Sequence, residues 1–306
     1  MVRTSATSMW TGSAQRDPAS LRTFITGAAP RAPFRRVLMV DPAHFQVHHV
    51  INPHMEGMIG TVDPRRAREE WTAIRDAYTS LGFSVLVIEG SGEFPDLVFA
   101  ANQLLPFVDG EGRAALVLSH MATVERQGEV AFLASSILSR DFMMHPLSTD
   151  LSLEGTGDGL WHPGKNLLWG GHGFRTGESS WEEVAAITGA SVVPLTLIDD
   201  RMYHLDVALM PIDATTAFSY RGAFDEESWA RLEAGFARLI EVPAEEAESG
   251  FALNGHCPDE KTLLLPAGNP ETRRLAESMG LIVCELPTRE FQRSGGSIFC
   301  LKNMLP

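Results

Sequence analysis

Apolar and polar positions alternate along this chain in two rhythms, short continuous apolar runs and longer stretches with helical periodicity. Arg36 to Asp41 (RVLMVD) has the run of a buried strand. Pro64 to Leu81 is patterned as an amphipathic helix and Ser84 to Glu89 as the next strand. Ala114 to Ser119 predicts a strand and Ala122 to Arg140 a helix. Leu160 with Trp161, and Leu167 to Trp169, predict two short strands around the turn HPGKN. Trp181 to Gly189 is patterned as a helix, Ser191 to Leu197 as extended chain, and Glu226 to Ile240 as a helix. Thr262 to Leu265, Glu271 to Met279 and Ile282 to Leu286 follow as strand, helix and strand, and Thr288 to Arg293 as a short helix.

The alternation predicts an α/β fold built from repeated βαβ-like modules, recurring about every 50 to 60 residues. No Pro/Gly/Ser linker divides the chain beyond residue 36, and Pro243 to Gly250 (PAEEAESG) is a polar loop inside it. Residues 33–306 therefore form a single expected domain. Residues 1–32, rich in Ser, Thr, Ala and Pro, are expected as a flexible N-terminal arm.

Composition narrows the function. An apolar content of 44% supports a real core. A net charge of -14 disfavours nucleic acid as a partner and suits a cationic small molecule. The cysteines, Cys257, Cys284 and Cys300, are odd in number and lack a CxxC, which argues against a disulfide framework or structural zinc and for a cytoplasmic setting. No apolar run is long enough for a membrane span, and the N-terminus lacks a signal-peptide pattern.

Several short motifs carry chemistry, each with a structural alternative. Ser294 to Cys300 (SGGSIFC) sets a cysteine beyond a tight glycine turn, although free cysteines are often simply buried. In His204-Leu205-Asp206, extended backbone would point His204 and Asp206 to one face, and a histidine is the natural proton partner of a cysteine. Glu154 to Asp158 (EGTGD) is Gly-rich and acidic but does not match a nucleotide cradle. Asp96 sits in the apolar run FPDLVFAAN, where a carboxylate can match the fork of a guanidinium or merely close a turn. Arg126 and Arg175 can clamp a carboxylate or form structural ion pairs. His44, His48, His49 and His54 cluster, but there is no HExxH and no acid-rich binuclear metal pattern, so no metal or other cofactor is expected. The absence of GxSxG disfavours a serine hydrolase of that class.

The order of these motifs is more specific than any one of them. INPHM (Ile51 to Met55), FPDLVFAAN (Phe94 to Asn102), ERQGE (Glu125 to Glu129), EGTGD, GHGFRT (Gly171 to Thr176), YHLD (Tyr203 to Asp206) and GGSIFC (Gly295 to Cys300) together resemble the guanidino-group-modifying superfamily of penteins. The branch it looks most like contains dimethylarginine dimethylaminohydrolases, bacterial arginine dihydrolases and amidinotransferases. The resemblance spans residues 36 to about 301. It implies a five-bladed α/β propeller of repeated ββαβ-type modules. It further implies Cys300 as nucleophile, His204 as general acid and base, and Glu154 as the group orienting His204. Asp96 and Asp206 would grip the guanidinium, and Arg126, Arg175 and Asn52 would hold the α-carboxylate. Asn102 falls where arginine dihydrolases carry an asparagine that lets hydrolysis continue to ornithine. His54 and Phe299 depart from the usual residues of the pattern. The implied activity is metal-independent hydrolysis of arginine or an Nω-substituted arginine. Amidino transfer to an amine and non-catalytic arginine binding are the alternatives, and a homo-oligomer is compatible with each.

Overall fold

The computed structural model describes residues 16–137 and 142–306. Its strands are β1 (Arg36–Val40), β2 (Ser84–Ile88), β3 (Leu104–Val108), β4 (Ala114–Leu118), β5 (Met143–Pro146), β6 (Gly159–Trp161) and β7 (Leu167–His172). β8 (Ser191–Thr196), β9 (Leu209–Asp213), β10 (Thr216–Ser219), β11 (Arg238–Glu241), β12 (Thr262–Pro266), β13 (Ile282–Leu286) and β14 (Asn303–Leu305) complete them.

They form five separate small sheets of one recurring design. A central strand pairs antiparallel with one neighbour and parallel with the other. β1 does so with β14 and β2, β4 with β3 and β5, β7 with β6 and β8, and β10 with β9 and β11. In the fifth sheet β12 pairs parallel with β13, and an antiparallel bridge between His256 and Leu264 marks the place of the third strand. A parallel pair needs a crossover, and in every sheet a helix supplies it: Pro64–Ser80, Gln127–Ile137, Ser180–Thr188, Glu226–Gly235 and Pro270–Ser278 in chain order. The expected mixed α/β architecture of repeated modules is thus present.

Local chemistry explains the elements. The helix Pro64–Ser80 starts where the Asp63 carboxylate accepts from the backbone N–H of Arg65 (2.9 Å) and Arg66 (3.2 Å), with proline at its first position. Its buried Ala67, Trp71, Ile74 and Tyr78 fall on one face and join Val37, Met39, Phe99 and Cys300 in one core cluster. Burying a side chain such as Trp71 or Ile74 contributes about 1.5–3 kcal/mol.

Three expectations are corrected. The helix from Glu226 ends at Gly235 rather than continuing to Ile240, and Arg238–Glu241 is β11. Gly235 packs so closely on the Trp169 ring that a side chain there would collide with it. The helix expected from Ala122 begins at Gln127, after a 3-10 turn Val124–Arg126, and residues 138–141 lie outside the described residues. Within the segment expected as a flexible arm, Pro18–Gly27 is a helix capped by Asp17. Its Leu21 and Ile25 are buried in the cluster that holds Trp169, Trp229 and Leu232, so apolar burial fixes it. Residues 1–15 of that arm lie outside the described residues. Among the described residues no helix is long and apolar enough to cross a membrane.

Candidate active site

The site is built where the segment before β14 meets the loops that follow β2, β5 and β8. Gly295 has φ +86°, a conformation that favours glycine, and a Cβ there would sit 2.8 Å from both Asn52 Oδ1 and the Tyr203 hydroxyl. The backbone turns through this narrow space and delivers Cys300 to the interior, 2% exposed. Asn254 fixes the cysteine. Its Oδ1 accepts from the N–H of Ser297 (2.8 Å) and Cys300 (3.3 Å), and its Nδ2 donates to Cys300 Sγ (3.2 Å) and to the Asp206 carbonyl (3.0 Å). Cys300 Sγ in turn donates to Asp206 Oδ2 at 3.1 Å.

His204 and Asp206 do not share a face of a strand. Only His204 is extended, and Leu205–Val207 is a 3-10 turn. The turn is anchored by Asp158, whose Oδ1 accepts from the Leu205 N–H at 3.0 Å and whose Oδ2 accepts from the Thr176 hydroxyl at 2.7 Å. This sends Asp206 to the cysteine and His204 to Glu154. His204 Nε2 lies 2.6 Å from Glu154 Oε2. Glu154 Oε1 accepts from the Ala122 N–H (3.2 Å), and Arg175 Nη1 approaches both carboxylate oxygens at 3.5 Å. A carboxylate on Nε2 places the imidazole proton there and leaves Nδ1 as the acceptor of the neutral ring.

The other expected residues converge on the same place. Asp96, on the 3-10 turn Pro95–Val98, is held by His49 Nε2 (2.7 Å) and the Ser294 hydroxyl (3.0 Å). Asn102 Oδ1 accepts from Arg126 Nη1 at 3.0 Å. Arg126 is already ion-paired with Glu129 at 2.8 Å and also donates to the Asp96 carbonyl at 3.3 Å. The Arg175 guanidinium lies 5.0 Å over the Tyr203 ring and donates to the Ile51 carbonyl. Asn52 caps the turn Pro53–Met55 and donates to the Ser294 carbonyl at 3.1 Å. Cys300, Asp96, Asn102, Arg126, Arg175 and Asn52 line one small cavity with Ile51, Met55, Phe99, Tyr203 and Ser294. Glu154 lies behind that lining, bonded to Arg175 and His204, while Asp206 meets the cavity's Cys300.

Among the described residues, three buried polar atoms here have no partner: His204 Nδ1, Asp206 Oδ1 and Asn102 Nδ2. Unsatisfied buried groups are costly, and three around one cysteine point to a ligand that completes them. The arrangement offers a proton acceptor, a carboxylate acceptor and an amide donor.

The electrostatics are divided. Burial and the Asp206 carboxylate push the Cys300 thiol well above its ordinary range. Burial raises Asp206 to about 7, and it raises Asp158 to about 7 as well. Burial alone would also raise Glu154, but the His204 hydrogen bond and the charges of His204, Arg175 and Arg126 bring it down to about 2. The site thus holds one firm anion, Glu154, and a neutral thiol that a bound cation would help to ionise.

Sequence reasoning named nine residues here and missed Asn254, His49, Ser294 and Asp158 as working parts. Ser294 and Asp158 lie inside quoted motifs, whereas nothing in FALNGH marks Asn254. Two of the four histidines weighed as a metal cluster are otherwise engaged: His49 with Asp96, and His54 Nε2 with the Arg201 carbonyl at 2.9 Å. Among the described residues no group of three or more His, Cys, Asp or Glu is placed to hold a metal ion.

No family model matches the chain. Individual proteins do. The N(G),N(G)-dimethylarginine dimethylaminohydrolase of Mycobacterium tuberculosis is 34% identical over 266 residues, which is 87% of this chain and 84% of that protein. The bifunctional arginine dihydrolase/ornithine cyclodeaminase ArgZ of Synechocystis is 34% identical over 267 residues, again 87% of this chain. This chain spans only 37% of the length of ArgZ and of its counterpart AgrE of Nostoc. Solved structures of the ArgZ N-terminal domain, one bound to product and one covalently bound to a reaction intermediate, match with TM-scores of 0.82 and 0.81 at 32% identity. They cover 89% and 87% of this chain and 97% and 96% of theirs. With a relative this similar matched over most of both lengths, the chain belongs to the family of guanidino-group-modifying enzymes that includes dimethylarginine dimethylaminohydrolase and arginine dihydrolase.

Proposed function

We propose that this chain is a metal-independent hydrolase of the guanidinium group of L-arginine or an Nω-substituted arginine, acting through a covalent Cys300 S-amidino intermediate. The observation that carries the reading is a set of polar atoms without a partner among the described residues, His204 Nδ1, Asp206 Oδ1 and Asn102 Nδ2, buried around a cysteine. The five sheets of one design support a five-bladed propeller as the frame.

Asp96 and Asp206 fix the plane of the guanidinium, while Arg126, Arg175 and Asn52 lie where the α-carboxylate end is held. The cation offsets the field of Asp206 and favours ionisation of Cys300; the thiol proton passes to His204, and the thiolate attacks the guanidinium carbon. The C–N bond to the leaving amine breaks, and His204 gives that nitrogen its proton. His204, neutral again, takes a proton from water. The hydroxide adds to the S-amidino carbon, the C–S bond breaks, and the departing thiolate recovers its proton from His204. Arginine gives citrulline and ammonia, and a methylated arginine gives citrulline and the methylamine. A second hydrolysis of citrulline, with Asn102 as the added polar group, gives ornithine, ammonia and carbon dioxide.

The test is a product assay on metal-free protein with arginine and asymmetric dimethylarginine in turn. Citrulline or ornithine from either supports the proposal and selects the substrate. A new guanidino compound formed only when glycine or lysine is added would replace it with amidino transfer. No product from either substrate, with arginine still bound, would replace it with a binding role.

A further inference from the structure

Asp96 has a titratable partner of its own before any guanidinium reaches it. His49 Nε2 lies 2.7 Å from Asp96 Oδ2, and the Ser294 hydroxyl donates to Oδ1 at 3.0 Å. Asp96 lines the cavity that holds Cys300, whereas His49 does not. The His49 side chain is 23% exposed and that of Asp96 only 3%. The imidazole therefore meets the carboxylate from behind the cavity lining, where it can still exchange protons with solvent.

A histidine placed this way has two states that differ in charge but not in contact. Nε2–H donates to the carboxylate from the imidazolium and from the neutral ring protonated at that nitrogen. Only the imidazolium neutralises Asp96. The charged groups acting on His49 are Asp96 and Glu125, which favour the imidazolium, and Arg126, which opposes it. They stand on the 3-10 turns Pro95–Val98 and Val124–Arg126, and Arg126 has its own counter-charge in Glu129 at 2.8 Å. The Asp96 hydrogen bond is the strongest of these influences and holds the imidazolium above its ordinary range. A guanidinium on Asp96 would be a second cation on one carboxylate, and like charges so close oppose each other. The neutral ureido group of citrulline meets no such opposition.

We propose that His49 is a specificity-determining residue of the guanidinium site: its protonation gives Asp96 a cation and weakens the preference of the site for arginine over citrulline. This rests on Asp96 gripping the guanidinium, as the proposed function has it. Loss of the His49 proton returns the full carboxylate charge to the substrate. Arginine binding and His49 protonation are then antagonistic, each weakening the other by the same factor.

Calorimetric titration with arginine and with citrulline tests it, in Cys300→Ser, which binds without turnover, and in Cys300→Ser combined with His49→Gln. Glutamine keeps an N–H for Asp96 and never carries the charge. At pH 6 the double variant should prefer arginine over citrulline about fivefold more strongly than Cys300→Ser does, and the two should converge by pH 8.5. Asp206 also titrates in this range, but it is common to both proteins and drops out of the comparison. Preferences that run parallel across the range would make His49 a support for Asp96 and nothing more, and would overturn the proposal while leaving guanidinium binding intact. No binding of arginine by either protein would overturn the proposed function and this inference with it. The His49 ring can also be followed by NMR in Cys300→Ser alone, independently of how the double variant folds. It should titrate at lower pH with arginine bound than with citrulline bound, and identical titrations would equally overturn the proposal.

Discussion

Cys300 Sγ donates to Asp206 Oδ2 at 3.1 Å, so the thiol rests against a carboxylate rather than against a base. This contact stabilises the protonated thiol and the ionised carboxylate together. It disfavours the thiolate, and a cation placed beside Asp206 reverses the bias.

Replacing Asp206 with Asn removes the charge that opposes the thiolate. Alkylation of Cys300 by iodoacetamide should then extend to lower pH than in the wild-type protein. Mass spectrometry of the Cys300 peptide separates it from Cys257, which burial pushes up to about 12. A rate–pH profile that does not move would mean that burial alone suppresses the thiol.

The same variant has a signature in stability. Asp206 titrates at about 7 in the fold, above its ordinary value of 3.8. The folded state therefore holds an extra proton between those values. The stability this contributes is full below the unfolded value and is lost as pH rises through about 7. Asp206→Asn has no such loss, so its melting temperature relative to wild type should rise between pH 5 and pH 8, by an amount equivalent to a few kcal/mol. A constant difference across that range would contradict the assignment.

Cys300→Ser should lower turnover at least about 10³-fold while the melting temperature changes little, because serine fits the same space and can accept the Asn254 N–H. Citrulline or ornithine formation at near wild-type rate would remove Cys300 from the reaction.

Glu154→Gln leaves shape but not charge beside His204. Its amide can offer an N–H where the imidazole must donate, which favours the wrong tautomer. The expected result is a fall in kcat of about 10²-fold or more with KM nearly unchanged, since Glu154 stands behind the cavity lining. A change confined to KM would assign Glu154 to substrate binding instead.

Asn102 Nδ2 has no partner among the described residues, and Gly157 stands so close to it that a methyl group would displace the amide. Asn102→Ser should stop arginine turnover at citrulline if the wild-type protein proceeds to ornithine. Gly157→Ala should reproduce that block by moving Asn102. Ornithine formed at wild-type yield in both variants would free Asn102 of the role.

Much of the frame was legible because strongly patterned segments such as Pro64–Ser80 bury a regular stripe, which periodicity reveals. β3, β5, β9, β10, β11 and β14 were not: Pro106, Pro146 and Pro211 fall inside β3, β5 and β9, and β10, β11 and β14 have three or four residues with no flanking turn as clear as the HPGKN that marks β6. The order of motifs located the cysteine, the histidine and the acids. It could not show how they are supported. Asn254, for example, serves Cys300 from another module, and that contact exists only in three dimensions. His204 and Asp206 lie two residues apart, as extended chain would require for a shared pocket, yet a 3-10 turn sends them to different partners.

The pairing of β14 with β1, which sets Asn303 against Leu38, has a kinetic consequence. It joins the most distant strands in the sequence, and such long-range closure is slow compared with forming any one module. Cys300 lies just ahead of β14, while Asp206 and Asn254 come from other modules. The thiol therefore acquires its masking contacts only at the closing step of folding. Until then it is an ordinary accessible cysteine, so the loss of rapid thiol labelling during refolding would time the closure of the fold rather than its collapse.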